Sequence, residues 1–132
     1  MYVPEVFALR DSEAIAAVLR DHGFAVLVTP GEAAPTASHL PFLFDPARGD
    51  HGVLRAHMAR ANPQWRALER LQAEGGEALV VFQGPHAYVS PRWYGDGPAV
   101  PTWNYLAVHV YGRPRLIEEP AALRALLADL VA

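Results

Sequence analysis

The amino-acid sequence predicts a mainly β protein: a small antiparallel β-barrel that carries peripheral helices. Short apolar segments with strand-like alternation recur along the chain, between clusters of Pro, Gly, Asp and Asn that favour turns. Three short segments instead place their apolar residues at helical spacing. We therefore expect about six strands and three helices, arranged as a single domain over residues 1–132 with one core.

The N-terminal half is predicted to form one helix followed by an antiparallel meander of three strands. The elements are a helix after the Asp11-Ser12 cap and strands at residues 24–29, 36–44 and 53–57. Leu40, Phe42 and Phe44 share one face of the second strand, whereas Pro41 within it lacks the N–H of a sheet ladder. We therefore expect the second strand to lie at an edge of the sheet or to contain a bulge.

The C-terminal half is predicted to add two helices and three more strands. Asn62-Pro63 favours a helix start, because asparagine caps a first turn and proline misses no hydrogen bond there; Gly75-Gly76 would end that helix. Gly84-Pro85 separates the first two strands of this half. The remaining predicted elements are strands at 77–82, 88–90 and 105–117, an irregular loop at 91–103 and a last helix over 120–130.

Composition excludes several classes of function. All 11 basic residues are arginine, and the net charge of -3 does not suit a broad nucleic-acid surface, so we expect no direct DNA binding. The chain has no cysteine, which excludes disulfides, thiolate catalysis and cysteine-ligated metals. Its first residues, MYVPEVFALRD, lack the pattern of a signal peptide, and no apolar run is long enough to span a membrane. We expect a cytoplasmic protein without membrane association.

The segment at residues 54–65, LRAHMARANPQW, is the first candidate site. It brings Arg55, His57 and Arg60 up to the predicted helix start at Asn62-Pro63. A helix N-terminus attracts anions, and guanidinium groups bind phosphate well. The alternative is that Asn62 only caps the helix while the arginines face water, and local sequence alone favours this plainer interpretation.

Aromatic side chains concentrate in the second candidate region. Six of them fall within 24 residues, interleaved with prolines: Phe82, Tyr88, Trp93, Tyr94, Trp103 and Tyr105. Such a region packs on its own barrel, covers a second subunit or forms the wall of a flat ligand site. The first two outcomes together are favoured by composition.

The six histidines do not form a recognisable metal motif. His39, His57 and His109 fall on predicted strands and would meet only if the barrel brought those strands together. We expect no metal site. The chain also lacks the GxSxG, Walker A and GxGxxG motifs, so a nucleophile elbow, a P-loop and a dinucleotide fold have no support.

Five segments taken together resemble the PaiB family of FMN-binding proteins, which are often labelled negative transcriptional regulators. The segments are MYVPEVF at 1–7, ASHLPF at 37–42, HMARANPQW at 57–65, GPHAYVSPRWY at 84–94 and VPTWNYLAVHVYG at 100–112. The resemblance implies an FMN-binding split β-barrel of the pyridoxamine-phosphate-oxidase and flavin-reductase type. It also implies a homodimer with FMN at the interface.

The resemblance further implies a set of cofactor-binding residues. Ser38, His39 and Leu40 would lie along the flavin ring, and the turn at residues 60–62, with Arg60 and Asn62, would take the phosphate together with His57. The residues implied to close the pocket are Tyr88, Ser90, Trp93, Thr102, Trp103 and Asn104. Family members carry a further C-terminal strand with a Lys-Leu-Ser-Gln-Asn type motif, and we expect this chain to end in its last helix before that strand.

Three functions follow as hypotheses. The first is an FMN-binding negative transcriptional regulator of the PaiB type. The second is a flavin-dependent oxidoreductase of the pyridoxamine-phosphate-oxidase-like class, in which the protein would mainly position the flavin and no catalytic residue is assigned. The third is a dimerisation domain without a cofactor.

Overall fold

Five β-strands form one antiparallel sheet, in the order β3-β2-β1-β4-β5, in a computed structural model of the chain. The structure describes residues 1–95 and 97–131. The strands are β1 (Phe24–Thr29), β2 (Thr36–Asp45), β3 (Val53–Ala56), β4 (Ala78–Val89) and β5 (Thr102–Gly112). The helices are α1 (Ser12–Asp21), α2 (Trp65–Glu74) and α3 (Pro120–Val131), with 3-10 turns at Glu5–Phe7 and Pro91–Tyr94. The predicted class, mainly β with peripheral helices, is confirmed, and the open sheet is consistent with a split barrel.

The sixth predicted strand does not exist separately, because the segments predicted at 77–82 and 88–90 are both parts of β4. Between Gln83 and His86 the pairing with β5 shifts register, so that Gly84 and Pro85 together lie opposite Leu106. Such a bulge leaves a residue outside the hydrogen-bond ladder, and proline is tolerated there. The Gly-Pro pair therefore bends the strand without ending it.

Pro41 lies inside β2 but not on an edge strand, so that alternative of the prediction is wrong. Residues 36–41 of β2 pair with β1, and the ladder with β3 begins at the next residue, Phe42. Pro41 stands where the strand changes partners, opposite Phe24 at the end of the first ladder. A missing N–H costs little at the end of a ladder.

The core lies on one face of the sheet, and α1 and α2 pack against it. Phe82 of β4 is completely buried and meets Phe42 of β2 edge-on, with ring centroids 5.9 Å apart. Leu19 of α1 belongs to the same cluster, and Leu68 and Leu71 of α2 pack on it. The predicted inward face of β2, with Phe42 among its members, is thus confirmed.

Both predicted capping residues act at the helix starts. Asp11 Oδ1 accepts a hydrogen bond from the N–H of Glu13 at 2.9 Å. Asn62 Oδ1 accepts from the N–H of Gln64 at 3.0 Å, although regular helix begins only at Trp65. The delay arises because the first turn closes through a tighter bond between residues three apart: Arg66 N–H donates to the Pro63 carbonyl at 3.1 Å.

The last two residues of the predicted loop at 91–103 belong to a strand, and this difference affects the site. β5 starts at Thr102 and ends at Gly112, where the sequence predicted a strand over 105–117. Pairing with the long β4 extends the strand at its start, since Thr102 faces Val89 and Trp103 faces Tyr88. The aromatic residues at 103 and 105 are therefore strand residues.

Candidate functional site

The junction between β3 and α2 brings two predicted cofactor-binding residues into contact. Asn62 Nδ2 donates a hydrogen bond of 2.9 Å to Oγ of Ser38 on β2, although 24 residues separate them in sequence. Oδ1 of the same amide accepts from the N–H of Gln64 and caps the turn that leads into α2. The Ser38 hydroxyl accepts from Asn62 and keeps its own O–H to donate, and Asn62 keeps a second N–H. The pair therefore offers donors beside a helix N-terminus, where the helix dipole favours negative charge.

Gln64 anchors this junction to the sheet, a role that was not predicted from the sequence. Its side chain is only 3% exposed. Nε2 points at the Leu27 carbonyl at 3.2 Å, Thr29 Oγ1 at 3.1 Å and the Thr36 carbonyl at 3.1 Å. Those acceptors lie on both strands of the β1–β2 hairpin, close to its turn. A glutamine in the first turn of an otherwise amphipathic helix, next to Trp65, was the available signal.

Arg60 lies on the exposed side of the junction. Its guanidinium donates to Glu118 at 2.6 Å, and the two side chains are 73% and 67% exposed. Its Cζ also lies 5.9 Å from the centre of the Trp65 ring, while Arg66 approaches the same ring to 5.0 Å. We call Ser38, Arg60 and Asn62 the donor cluster.

The other residues predicted near the donor cluster point in different directions. Leu40 shares the inward face of β2 with Ser38 and packs on the core. His39 lies between them in sequence, so it faces the opposite side of the sheet, where it is exposed with its ring 5.8 Å from that of Phe24. His57 is exposed just after the end of β3.

The end of β4 and the start of β5 carry a second group of residues that were predicted to bind the cofactor. We call residues 86–89 and 102–105 the aromatic arm. Trp103 meets Tyr88 edge-on with ring centroids 6.2 Å apart, and His86 at 5.5 Å. Asn104 and Thr102 project from the other face of the same ribbon, opposite Ala87 and Val89 in the ladder. The arm is exposed on its aromatic face.

Ser90 and Trp93 lie directly beyond the aromatic arm. Ser90 Oγ accepts from the N–H of Arg92 at 3.3 Å and caps the short 3-10 turn Pro91–Tyr94. Trp93 in that turn is 72% exposed. Trp93 thus extends the exposed aromatic surface of the arm, and Ser90 caps the turn that carries it.

The donor cluster and the aromatic arm do not meet within one chain. Leu27 of β1 pairs with Ser38 on one side and with Val80 of β4 on the other, which places Ser38 level with Val80. Tyr88 comes eight residues later on β4. At ~3.3 Å per residue the arm lies up to roughly 26 Å farther along the strand.

The outward face of the sheet is apolar at its centre. One row across four strands contains His39, Val26, Val81 and His109, and a neighbouring row contains Val28, Leu79 and Tyr111. A shallow cavity of about 300 Å³ opens on the second row. Another, of about 340 Å³, opens between the β1–β2 turn and α2. The residues lining these two cavities include none of the predicted cofactor-binding residues.

The sheet register also separates two of the histidines. His39 and His109 face the same side but stand three strand spacings apart, roughly 14 Å at ~4.8 Å per spacing. Within residues 1–95 and 97–131, no group of three or more His, Asp or Glu side chains is placed to hold a metal ion. In the same part of the chain no helix has the length and apolar character needed to cross a membrane.

Comparison with known proteins places the chain in a family. The sequence profile of the family described as "Putative FMN-binding domain" matches residues 1–132. The chain belongs to this family of FMN-binding domains. The PaiB-type resemblance and the FMN cofactor that the motifs predicted are confirmed at this level.

Curated relatives of this FMN-binding domain come from bacteria and fungi. The chain is 41% identical over 119 residues to the protease synthase and sporulation protein PAI 2 of Bacillus subtilis (strain 168), covering 90% of this chain and 55% of that protein. It is 37% identical to an uncharacterised protein of Emericella nidulans, covering 88% of this chain and 57% of the relative. The chain thus spans little more than half the length of these relatives.

The hydrogen-bond donors of the donor cluster suit the phosphate group of FMN. A hydroxyl and a primary amide are in contact just before α2, and the guanidinium of Arg60 lies near Trp65, the first residue of that helix. All three groups have N–H or O–H bonds to donate, as a phosphate requires. The exposed aromatic rings of the arm suit the flat face of a flavin.

Proposed function

We propose that two copies of this FMN-binding domain hold FMN between them, with the phosphate at the donor cluster of one copy and the flavin ring against the aromatic arm of the other. The observation that carries the proposal is the Ser38–Asn62 contact beside Arg60 at the start of α2. Ser38 and Asn62 bind and orient the phosphate oxygens, and Arg60 neutralises their charge. Bound FMN supplies electron- and hydride-transfer chemistry.

Two observations support a homodimer. The donor cluster lies up to roughly 26 Å from the arm along β4, so a second copy must bring its arm to the cluster. The central strands β1 and β4 are apolar on both faces, as in strands that are covered on both sides. The second copy would supply the cover on the outward face.

The exposed aromatic surface has about the area that a dimer contact requires. Five side chains of the arm and the turn after it are 47% to 72% exposed: Tyr88, Trp93, Tyr94, Trp103 and Tyr105. At ~200 Å² for each side chain, roughly 600 Å² of aromatic surface faces water. A stable interface buries ~800 Å² on each partner, so the arm and the turn after it together supply most of one.

Titration of FMN fluorescence measures the binding of FMN. Light scattering after size-exclusion chromatography measures the mass of the protein in solution. We expect saturable quenching at micromolar flavin and the mass of a dimer, both lost or weakened in Trp103→Ala. Arg60→Ala should weaken FMN binding, whereas Arg66→Ala, which removes the other arginine beside Trp65, should not. A dimer that does not quench FMN would identify a cofactor-free dimerisation domain instead. FMN-stimulated oxidation of a nicotinamide would add the oxidoreductase function.

We also propose that the protein acts as a cytoplasmic negative regulator through a partner protein. The support is the PaiB resemblance together with the name of the Bacillus subtilis relative, a sporulation protein. A net charge of -3 does not favour direct contact with DNA. Fluorescence anisotropy with labelled duplex DNA at low salt should show no binding at micromolar protein, and salt-sensitive binding would reject the indirect route. Fractionation of cells expressing the tagged protein checks its location.

A further inference from the structure

Arg60 is engaged by an acidic residue from a distant part of the chain. Glu118 lies 58 positions later, in the segment between β5 and α3, and its Oε1 accepts a hydrogen bond from Arg60 Nη1 at 2.6 Å. The carboxylate takes an Nη1 donor of this guanidinium and offsets the positive charge that the proposed function assigns to the phosphate. The Glu118 carboxylate and a bound phosphate therefore compete for the same guanidinium.

The segment that carries Glu118 is held in place on both sides. Before it, the N–H of Leu116 donates to Oε1 of Gln72 on α2 at 2.7 Å. After it, Asp129 of α3 pairs with Arg55 of β3 at 2.8 Å. Glu118 therefore stays within reach of Arg60 while its side chain, which is mainly exposed, can rotate away.

We propose that Glu118 sets how strongly the site prefers a phosphorylated flavin over the same flavin without phosphate. The inference rests on the proposed function. Glu118 competes with the phosphate for Arg60 and repels the phosphate charge, so the carboxylate lowers affinity for the phosphate and leaves contacts to the ring unchanged. Glu118 is a specificity-determining residue and touches no flavin atom.

The size of the effect follows from the exposure of the pair. Exposed ion pairs contribute little in water, so neutralising Glu118 should tighten FMN binding by about two- to five-fold at low salt. Added salt screens the pair, and the difference should shrink as ionic strength rises. Affinity for riboflavin, which lacks the phosphate, should not change.

The experiment compares Glu118→Gln with Glu119→Gln, which removes the same charge from the adjacent exposed residue. FMN and riboflavin are titrated against both variants and the wild-type chain at two salt concentrations. We expect tighter FMN binding in E118Q alone, unchanged riboflavin affinity, and no effect of E118Q when Arg60 is already alanine. Equal FMN affinity of E118Q and E119Q, or an equal gain for riboflavin, overturns this inference alone. A wild-type chain that binds no FMN overturns the proposed function and this inference with it.

Discussion

The buried amide of Gln64 offers the most direct test of how the site is held. Its Nε2 carries two hydrogens and faces three acceptors on the β1–β2 hairpin. Gln64→Met keeps the length of the side chain but removes those bonds, at ~1 kcal/mol for each hydrogen plus ~1 kcal/mol for buried acceptors left unpaired. Among the described residues Oε1 of Gln64 has no hydrogen-bond partner, so removing it recovers ~1 kcal/mol. The expected net loss in the free energy of unfolding is ~2 kcal/mol.

Urea and thermal unfolding measure that loss. A change of ~2 kcal/mol lowers the Tm of a domain of this size by roughly 6–8 °C. Gln64→Glu should be worse, at ~3 kcal/mol or more, because an ionised carboxylate would face acceptors without a hydrogen to donate. Gln83→Met is the matched control at an exposed position and should change stability by less than ~0.5 kcal/mol. If the glutamate variant is as stable as the wild-type protein, Nε2 is not the donor and the anchoring role is wrong.

Three further variants separate folding from binding. Asn62→Ala should lose ~1 kcal/mol of stability in urea unfolding, because it removes the capping oxygen. Asn62→Asp keeps that oxygen and should remain stable, but its affinity for FMN should fall. Equal FMN affinity of the aspartate variant and the wild-type chain would count against the donor cluster. Arg60→Ala should leave the Tm nearly unchanged, since its ion pair is exposed, and a large fall in Tm would mean that its role is structural. Gly23→Ala should lose ~1–3 kcal/mol by overpacking, because a Cβ there would lie 2.9 Å from the Phe42 carbonyl oxygen; Gly112→Ala, with open space around it, is its control.

Local signals predicted most of the elements because they act within a few residues. Asp11 caps α1, and Gly75 ends α2 with a φ of +70°, a conformation that glycine adopts at little cost. The alternation of Leu40 and Phe42 correctly identified the inward face of β2. These features depend on steric and hydrogen-bonding preferences of neighbouring residues, so they can be read from the sequence.

Errors arose where pairing with a distant strand overrode a local signal. Gly84-Pro85 resembles a strand end, yet the partner residues of β5 continue the ladder on both sides of the bulge. The start of β5 at Thr102 has the same cause, because β4 offers a paired strand there. Pro41 is tolerated inside the sheet because β2 changes partners at that residue. None of these partners lies close enough in sequence for local preferences to reveal it.

The sequence by itself determined the fold class, the capped start of α2 and the motifs that indicate an FMN-binding domain. Only the tertiary structure decided that Asn62 bonds to Ser38 across 24 residues, that Gln64 anchors them, and that Glu118 engages Arg60. It also decided that the aromatic arm lies far along β4 from the donor cluster. Composition and spacing encode which side chains are available, whereas strand register and chain reversal set which of them meet.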